Sequence, residues 1–179
     1  MNLPNKLTIF RVVLIPFFVL FMMIPEFQWG NYAALAVFCV ASFTDFLDGY
    51  IARKYNLVTN FGKFMDPLAD KLLVCTAMIC LLSVNRLPLL FVLIVIAREF
   101  IISGFRLVAS DNNVVIAASW WGKFKTVSHM ILVIVLLLNI QHPVFEIVEW
   151  ILIFVAAFLT VVSLVDYIVK NKGVLTEQK

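Results

Sequence analysis

"DFLDGYIARKYNLVTNFGKFMDPLAD", residues Asp45 to Asp70, is a polar passage set between long apolar runs, and it holds four of the chain's eleven acidic residues. Asp45 and Asp48 are three apart at the end of one run. Asp66 and Asp70 are four apart at the start of the next. Each pair shares a helical face at those spacings. The Asp48-Gly49 dipeptide would suit a hairpin turn, but the apolar sequence around it is too long for strands. Two helices joined by a short loop are therefore expected, lying antiparallel, with all four carboxylates at one level.

Composition sets the solvent around those helices. Of 179 residues, 63% are hydrophobic and 14% charged, and the mean hydropathy is +1.02. These values lie outside the range of soluble domains and point to an all-α integral membrane protein. The length accommodates about six spans of roughly 20 residues each. With no internal repeat, low-complexity segment or glycine/serine linker, one membrane domain over residues 1–179 is expected. The net charge of +3 is modest, and the basic residues form no arginine-rich strip, which argues against nucleic-acid binding. Cys39, Cys75 and Cys80 fall inside apolar runs, without a Cys-x-x-Cys pair, and read as small hydrophobes.

Apolar runs bounded by polar residues or proline predict six transmembrane helices near Leu7–Ile24, Asn31–Ile51, Pro67–Val84, Pro88–Val108, Lys125–Ile140 and Phe145–Val169. The positive start and apolar run at the N-terminus raise a signal peptide, but no small-residue cleavage site precedes Pro25, so a retained first span is expected. Pro16 inside that span predicts a kink rather than an end. Trp29, Trp120, Trp121 and Trp150 lie near span ends, as interfacial anchors do. With six spans, one set of connectors and termini holds Lys6, Arg11, Arg53, Lys54, Lys63, Arg106, Lys123, Lys125, Lys170, Lys172 and Lys179. The other holds Arg86 with Glu26, Glu146 and Glu149. The excess of cations places both termini and the 53–63 loop in the cytoplasm.

Four carboxylates at membrane level oppose one another and resist desolvation. Salt bridges to Arg53, Lys54, Lys63 and Lys71 would account for any one of them. For four at helical spacing, a bound cation is the better answer. Oxygen-only ligands with no nearby His or Cys select a hard ion such as Mg²⁺, Mn²⁺ or Ca²⁺ over zinc. Gly49 and Gly62 let a ligand approach the backbone closely, and Arg53, four residues beyond Gly49, suits a phosphate. Small gaps, an arginine and a metal patch together describe a diphosphate site. A divalent-cation transporter is the competing class, but its carboxylates belong near mid-membrane rather than at the cytoplasmic edge.

The spacing Asp45-x2-Asp48-Gly49-x2-Ala52-Arg53-x8-Gly62-x3-Asp66-x3-Asp70 resembles the complete signature of the CDP-alcohol phosphotransferase family. Eight fixed residue types match by chance on the order of 10⁻¹⁰ per start point at ordinary usage. The resemblance implies a six-helix membrane bundle, usually dimeric, that moves a phosphatidyl or similar group from a CDP-linked donor to an alcohol and releases CMP. It implies Asp45, Asp48 and Asp66 as ligands of a divalent metal, Mg²⁺ or Mn²⁺, as two ions. Asp70 would be both a metal neighbour and the catalytic base, in keeping with its place deeper along the third helix. Gly49, Ala52, Arg53 and Gly62 would shape the CDP-lipid pocket, with Thr59 as a further contact.

The remaining charges bear on the acceptor. Arg98, Arg106, Lys123 and Lys125 lie on the fourth span and at the start of the fifth, and would suit an acceptor that itself carries a phosphate. Headgroup contact is the plainer reading of the two lysines. Glu99 and Arg106 are seven apart and candidates for an ion pair. "NLPNKLTIFR", "REF" and "GKFKT" resemble the branch of the family that uses sn-glycerol 3-phosphate and CDP-diacylglycerol to form phosphatidylglycerophosphate. On that resemblance Asn5, Thr8 and Arg11 would reach the nucleotide or its phosphates from the first helix. Inositol phosphate is the alternative acceptor. His129 is expected to be hydrogen-bonded inside the bundle, and Asp166 to pair with Lys170. A bacterial cell membrane, with the site at its cytoplasmic face, completes the expectation.

Overall fold

The computed structural model describes residues 2–24, 29–55, 60–111 and 119–172. Among them are six α-helices: α1 (Leu3–Met23), α2 (Gly30–Lys54), α3 (Asn60–Ser83), α4 (Leu89–Asp111), α5 (Trp120–Leu138) and α6 (Pro143–Lys170). No strand occurs among the described residues. The fold is all-α, as the apolar periodicity predicts.

α1, α2, α5 and α6 are each long and apolar enough to cross a membrane. α3 and α4 are of similar length, 24 and 23 residues, but carry more charge. Asp66, Asp70 and Lys71 lie on α3, and Arg98, Glu99 and Arg106 on α4. The outward faces are apolar: Phe100, Leu90, Phe154 and Trp120 are each at least 70% exposed. A lipid environment accounts for that surface.

Most helices start earlier than the hydropathy predicts, α3 and α5 by the most. α3 begins at Asn60, seven residues before Pro67, so Gly62 lies on the helix and not in the loop, and Asp66 stands within the helix as its spacing to Asp70 predicts. Pro67, where the predicted span opens, therefore lies inside α3 and not in its first turn. Phe61, Phe64, Met65 and Leu68 extend the helical apolar spacing backwards through Lys63 and Asp66. α5 begins at Trp120, five residues before Lys125, which brings "GKFKT" into its opening turns. α1 starts with Pro4 in its first turn, where proline costs no hydrogen bond, and runs on through Pro16.

The chain divides into two compact units. The first comprises residues 1–86 and 133–140, and α1 packs in it against both α2 and α3. One stripe of α1 is buried: Pro4, Asn5, Thr8, Arg11, Ile15, Phe18 and Met22. Its polarity changes along its length, polar through Arg11 and apolar from Ile15. α2 repeats the pattern in reverse order, with Ala34, Phe38 and Ala41 leading to buried Thr44 and Asp48. The apolar end closes around Phe18 and Phe38, whose rings are 6.3 Å apart. The polar end gathers the signature residues.

The end of α3 is a Schellman turn. Asn85 takes the left-handed conformation (φ 58°), its N–H donates to Leu82 O at 2.9 Å, and Arg86 N–H donates to Leu81 O at 2.8 Å. The Arg86 side chain then donates to Asn139 Oδ1, at the left-handed residue that follows α5.

The second unit comprises residues 87–132 and 141–179. α4 packs on α6 through the stripe Ile153, Ala156, Thr160, Ser163 and Tyr167. Small residues at three of those positions let helix backbones approach closely, which drives association where lipid surrounds both partners. His142 caps α6 by accepting from Val144 N–H, and Glu146 and Lys170 complement the helix dipole at its two ends.

Phe18→Ala removes a side chain with no exposed surface and is expected to cost about 3–5 kcal/mol. Thermal unfolding in detergent reads this as a clear fall in Tm. Phe46→Ala, at a position 66% exposed, should leave Tm nearly unchanged.

Candidate active site

The polar end of the first unit is organised by α1. Arg11, on the third turn, is fully buried and reaches across to α2. Its Nη1 lies 2.7 Å from Asp45 Oδ1 and its Nη2 donates to Asp48 Oδ2. Asp48 is 2% exposed and Asp45 40%, so the pair grades from interior to opening. One turn earlier, Thr8 Oγ1 donates to Asp66 Oδ1 of α3 at 2.5 Å. Thus α1 supplies a donor to each of the two acidic helices.

Asp45, Asp48 and Asp66 lie close enough for their charges to act on one another. Positions 45 and 48 share one face of α2, and Asp66 lies on the face of α3 that meets Thr8 of α1. Asp70 is half-buried one turn beyond Asp66. Gly62 is buried on α3, with Gly49 and Ala52 half-buried on α2. Arg53 is on α2, but its side chain lies outside the described residues, as does the whole of Thr59. Asn5 is buried on the α1 stripe.

The donor set fits a hard divalent cation: three mutually repelling carboxylates, all oxygen, no sulfur or imidazole. Among the described residues no three His, Cys, Asp or Glu side chains stand ready around one point. Arg11 and Thr8 instead hold the carboxylates. Arg11 Nε, buried, has no hydrogen-bond partner among the described residues. The guanidinium therefore keeps donor capacity that these two aspartates do not use.

Arg11 as the partner of Asp45 and Asp48 was missed from sequence, where the nearby cations Arg53, Lys54, Lys63 and Lys71 stood as the natural counterions. The pairing spans 34 and 37 residues, a separation that local spacing cannot show. One signal was present: an arginine within a span-length apolar helix demands a buried anionic partner.

The four cations expected to bind the acceptor's phosphate are not all together. In the second unit, Arg98 Nη1 lies 2.8 Å from Glu99 Oε1, and Lys125 Nζ donates to the same oxygen. Arg98 Nε also donates to Ser163 Oγ at 3.2 Å. All three charged residues are buried. Arg106 and Lys123 are exposed, Arg106 5.9 Å from the Tyr167 ring centre and Lys123 4.4 Å from that of Trp120. Glu99 thus pairs with Arg98 and Lys125 and not with Arg106, because α5 brings an ammonium within contact while position 106 is two turns away along α4.

His129 Nε2 meets Thr160 Oγ1 at 2.9 Å, and Lys170 bridges Asp166 at 2.6 Å, both as expected. Cys39, Cys75 and Cys80 form no disulfide among the described residues.

A six-helix membrane fold with an acidic signature split over α2 and α3 defines a class that the family comparison makes explicit. The chain belongs to the CDP-alcohol phosphatidyltransferase family, whose profile matches residues 1–162. Among its relatives is the CDP-diacylglycerol–glycerol-3-phosphate 3-phosphatidyltransferase of Bacillus subtilis, 45% identical over 95% of each chain. The proteins of that name from Escherichia coli K12 and Haemophilus influenzae are 41% identical (99% of this chain, 98% of the relative) and 39% identical (98% and 96%).

Removing Glu99 leaves two buried cations without their anion. Glu99→Ala is expected to destabilise the protein by about 3–5 kcal/mol, the usual cost of breaking a buried pair from one side. Adding Lys125→Met should recover part of the lost Tm, read by thermal unfolding in detergent.

Proposed function

We propose that the chain transfers the phosphatidyl group of CDP-diacylglycerol to the 1-hydroxyl of sn-glycerol 3-phosphate, giving phosphatidylglycerophosphate and CMP. The observation that carries this reading is the complete eight-residue signature in a chain collinear, nearly end to end, with relatives that bear that activity in their names. It is a phosphotransferase acting on substituted phosphates, in phospholipid synthesis. Inositol phosphate remains the competing acceptor.

Family members generally work with a divalent metal. In this chain Asp45, Asp48 and Asp66, with Asp70 adjacent, would hold two ions of Mg²⁺ or Mn²⁺. Bound there, it would offset charge on the diphosphate and on the departing CMP. The chain's own residues do the rest. Gly49, Ala52 and Gly62 leave room for the nucleotide against the backbone. Arg53 and Thr59 grip it from the helix end and loop, and Asn5, Thr8 and Arg11 approach from α1. Asp70 accepts the proton of the acceptor hydroxyl as its oxygen bonds to the lipid-bearing phosphorus. The bond from that phosphorus to the CMP oxygen breaks in the same displacement. Of the four cations expected for the acceptor's phosphate, Arg106 and Lys123 are the exposed ones and would attract it, while Arg98 and Lys125 are engaged by Glu99. A single domain, a homodimer, cytoplasmic termini and a site at the cytoplasmic face of a bacterial cell membrane complete the proposal; the lysine and arginine distribution supports the cytoplasmic orientation.

Purified protein in detergent, given CDP-diacylglycerol, should release CMP with glycerol 3-phosphate and not with inositol phosphate. The reverse preference would overturn the acceptor. Chelation with EDTA should stop CMP release, and Mg²⁺ or Mn²⁺ should restore it. Asp70→Asn is expected to lower kcat about 10²–10⁴-fold while retaining CDP-lipid binding. Turnover at the wild-type rate would remove Asp70 from the role of base.

A further inference from the structure

Arg11 contacts the two carboxylates proposed to hold metal. It is fully buried, it reaches Asp45 and Asp48 with different nitrogens, and its Nε lacks a partner among the described residues. A guanidinium cannot shed its proton, so a divalent ion reaching these two carboxylates meets a fixed positive charge already on them. Ion and guanidinium therefore oppose each other at close range. A diphosphate changes the balance, because it brings anionic oxygens that match the planar donor fork of arginine. Arg11 sits one helical turn from Thr8, which contacts Asp66, so α1 faces both acidic helices, with Arg11 on α2 and Thr8 on α3.

We propose that Arg11 is a resident counter-cation that competes with the divalent metal for Asp45 and Asp48 and, when displaced, engages the diphosphate of the CDP-lipid. Arg11 thereby makes metal binding depend on the nucleotide. The inference rests on the metal reading of Asp45, Asp48 and Asp66. It assigns Arg11 the role of a positioning residue that couples the two ligands. With the guanidinium present, metal alone binds weakly and metal with nucleotide binds well. Without it, the carboxylates take metal readily and the nucleotide adds little.

The test is Mn²⁺ binding, read from the electron paramagnetic resonance signal of free Mn²⁺ in detergent, with and without CDP. Wild type should bind Mn²⁺ weakly alone and about tenfold more tightly with CDP, within the usual range of coupling between two sites. Arg11→Met, which keeps the apolar stem and drops the charge, should bind Mn²⁺ about tenfold more tightly than wild type without CDP, and gain little from CDP. Arg11→Lys should restore weak binding in the absence of CDP. A merely structural role would weaken metal binding in Arg11→Met, and unchanged or weaker affinity there overturns the proposal. If Arg11→Met does not fold, wild type alone still decides against it when CDP leaves Mn²⁺ affinity unchanged. Wild type that binds no Mn²⁺ under either condition overturns the metal reading itself, and the inference with it.

Discussion

A guanidinium held between two carboxylates ties α1 to α2 at the end of the first unit where charge concentrates. Each charge alone would be prohibitive in that setting, and each becomes tenable through the other. Thr8 adds the tie to α3. All three helices are thus joined by polar contacts at one end, and α1 and α2 also by Phe18 against Phe38 at the other. The polar ties determine where the signature carboxylates stand, and the apolar packing holds the helices that carry them.

The second unit handles charge by the same rule with the signs reversed. There one carboxylate, Glu99, sits between two cations, Arg98 and Lys125, and Ser163 takes a further donor of Arg98. The triad carries a net positive charge inside a helix assembly, whereas Asp45, Asp48 and Arg11 carry a net negative one. Close packing through Ala156, Thr160 and Ser163 makes the second arrangement possible, because bulkier residues would keep α6 from lending hydroxyls to α4 and α5.

Much of this was legible in the residues alone. The apolar stripes gave six helices, and the 3- and 4-residue spacing of the aspartates placed them on facing helix ends. Helix starts were harder. Hydropathy marks where a helix enters lipid, but the backbone of α3 and α5 forms hydrogen bonds well before that point, through Gly62 and Lys63 and through Gly122 and Lys123. Pairing was hardest. Arg11 with Asp45, and Glu99 with Lys125, bridge different helices, and nothing in a single sequence selects such partners over the closer cations. Asp166 with Lys170 was readable because both ends lie on one helix, a turn apart.

The buried stripe of α1 places binding chemistry and structural packing on one helical register. Asn5, Thr8 and Arg11 precede Ile15, Phe18 and Met22 on the same face. Inserting one residue between Arg11 and Ile15 would rotate one half against the other by about 100°. Either the polar donors would leave the carboxylates or the aromatic contact would open. Substitutions can therefore retune this helix position by position, whereas its length between those two groups is a shared frame that evolution can change only in whole turns.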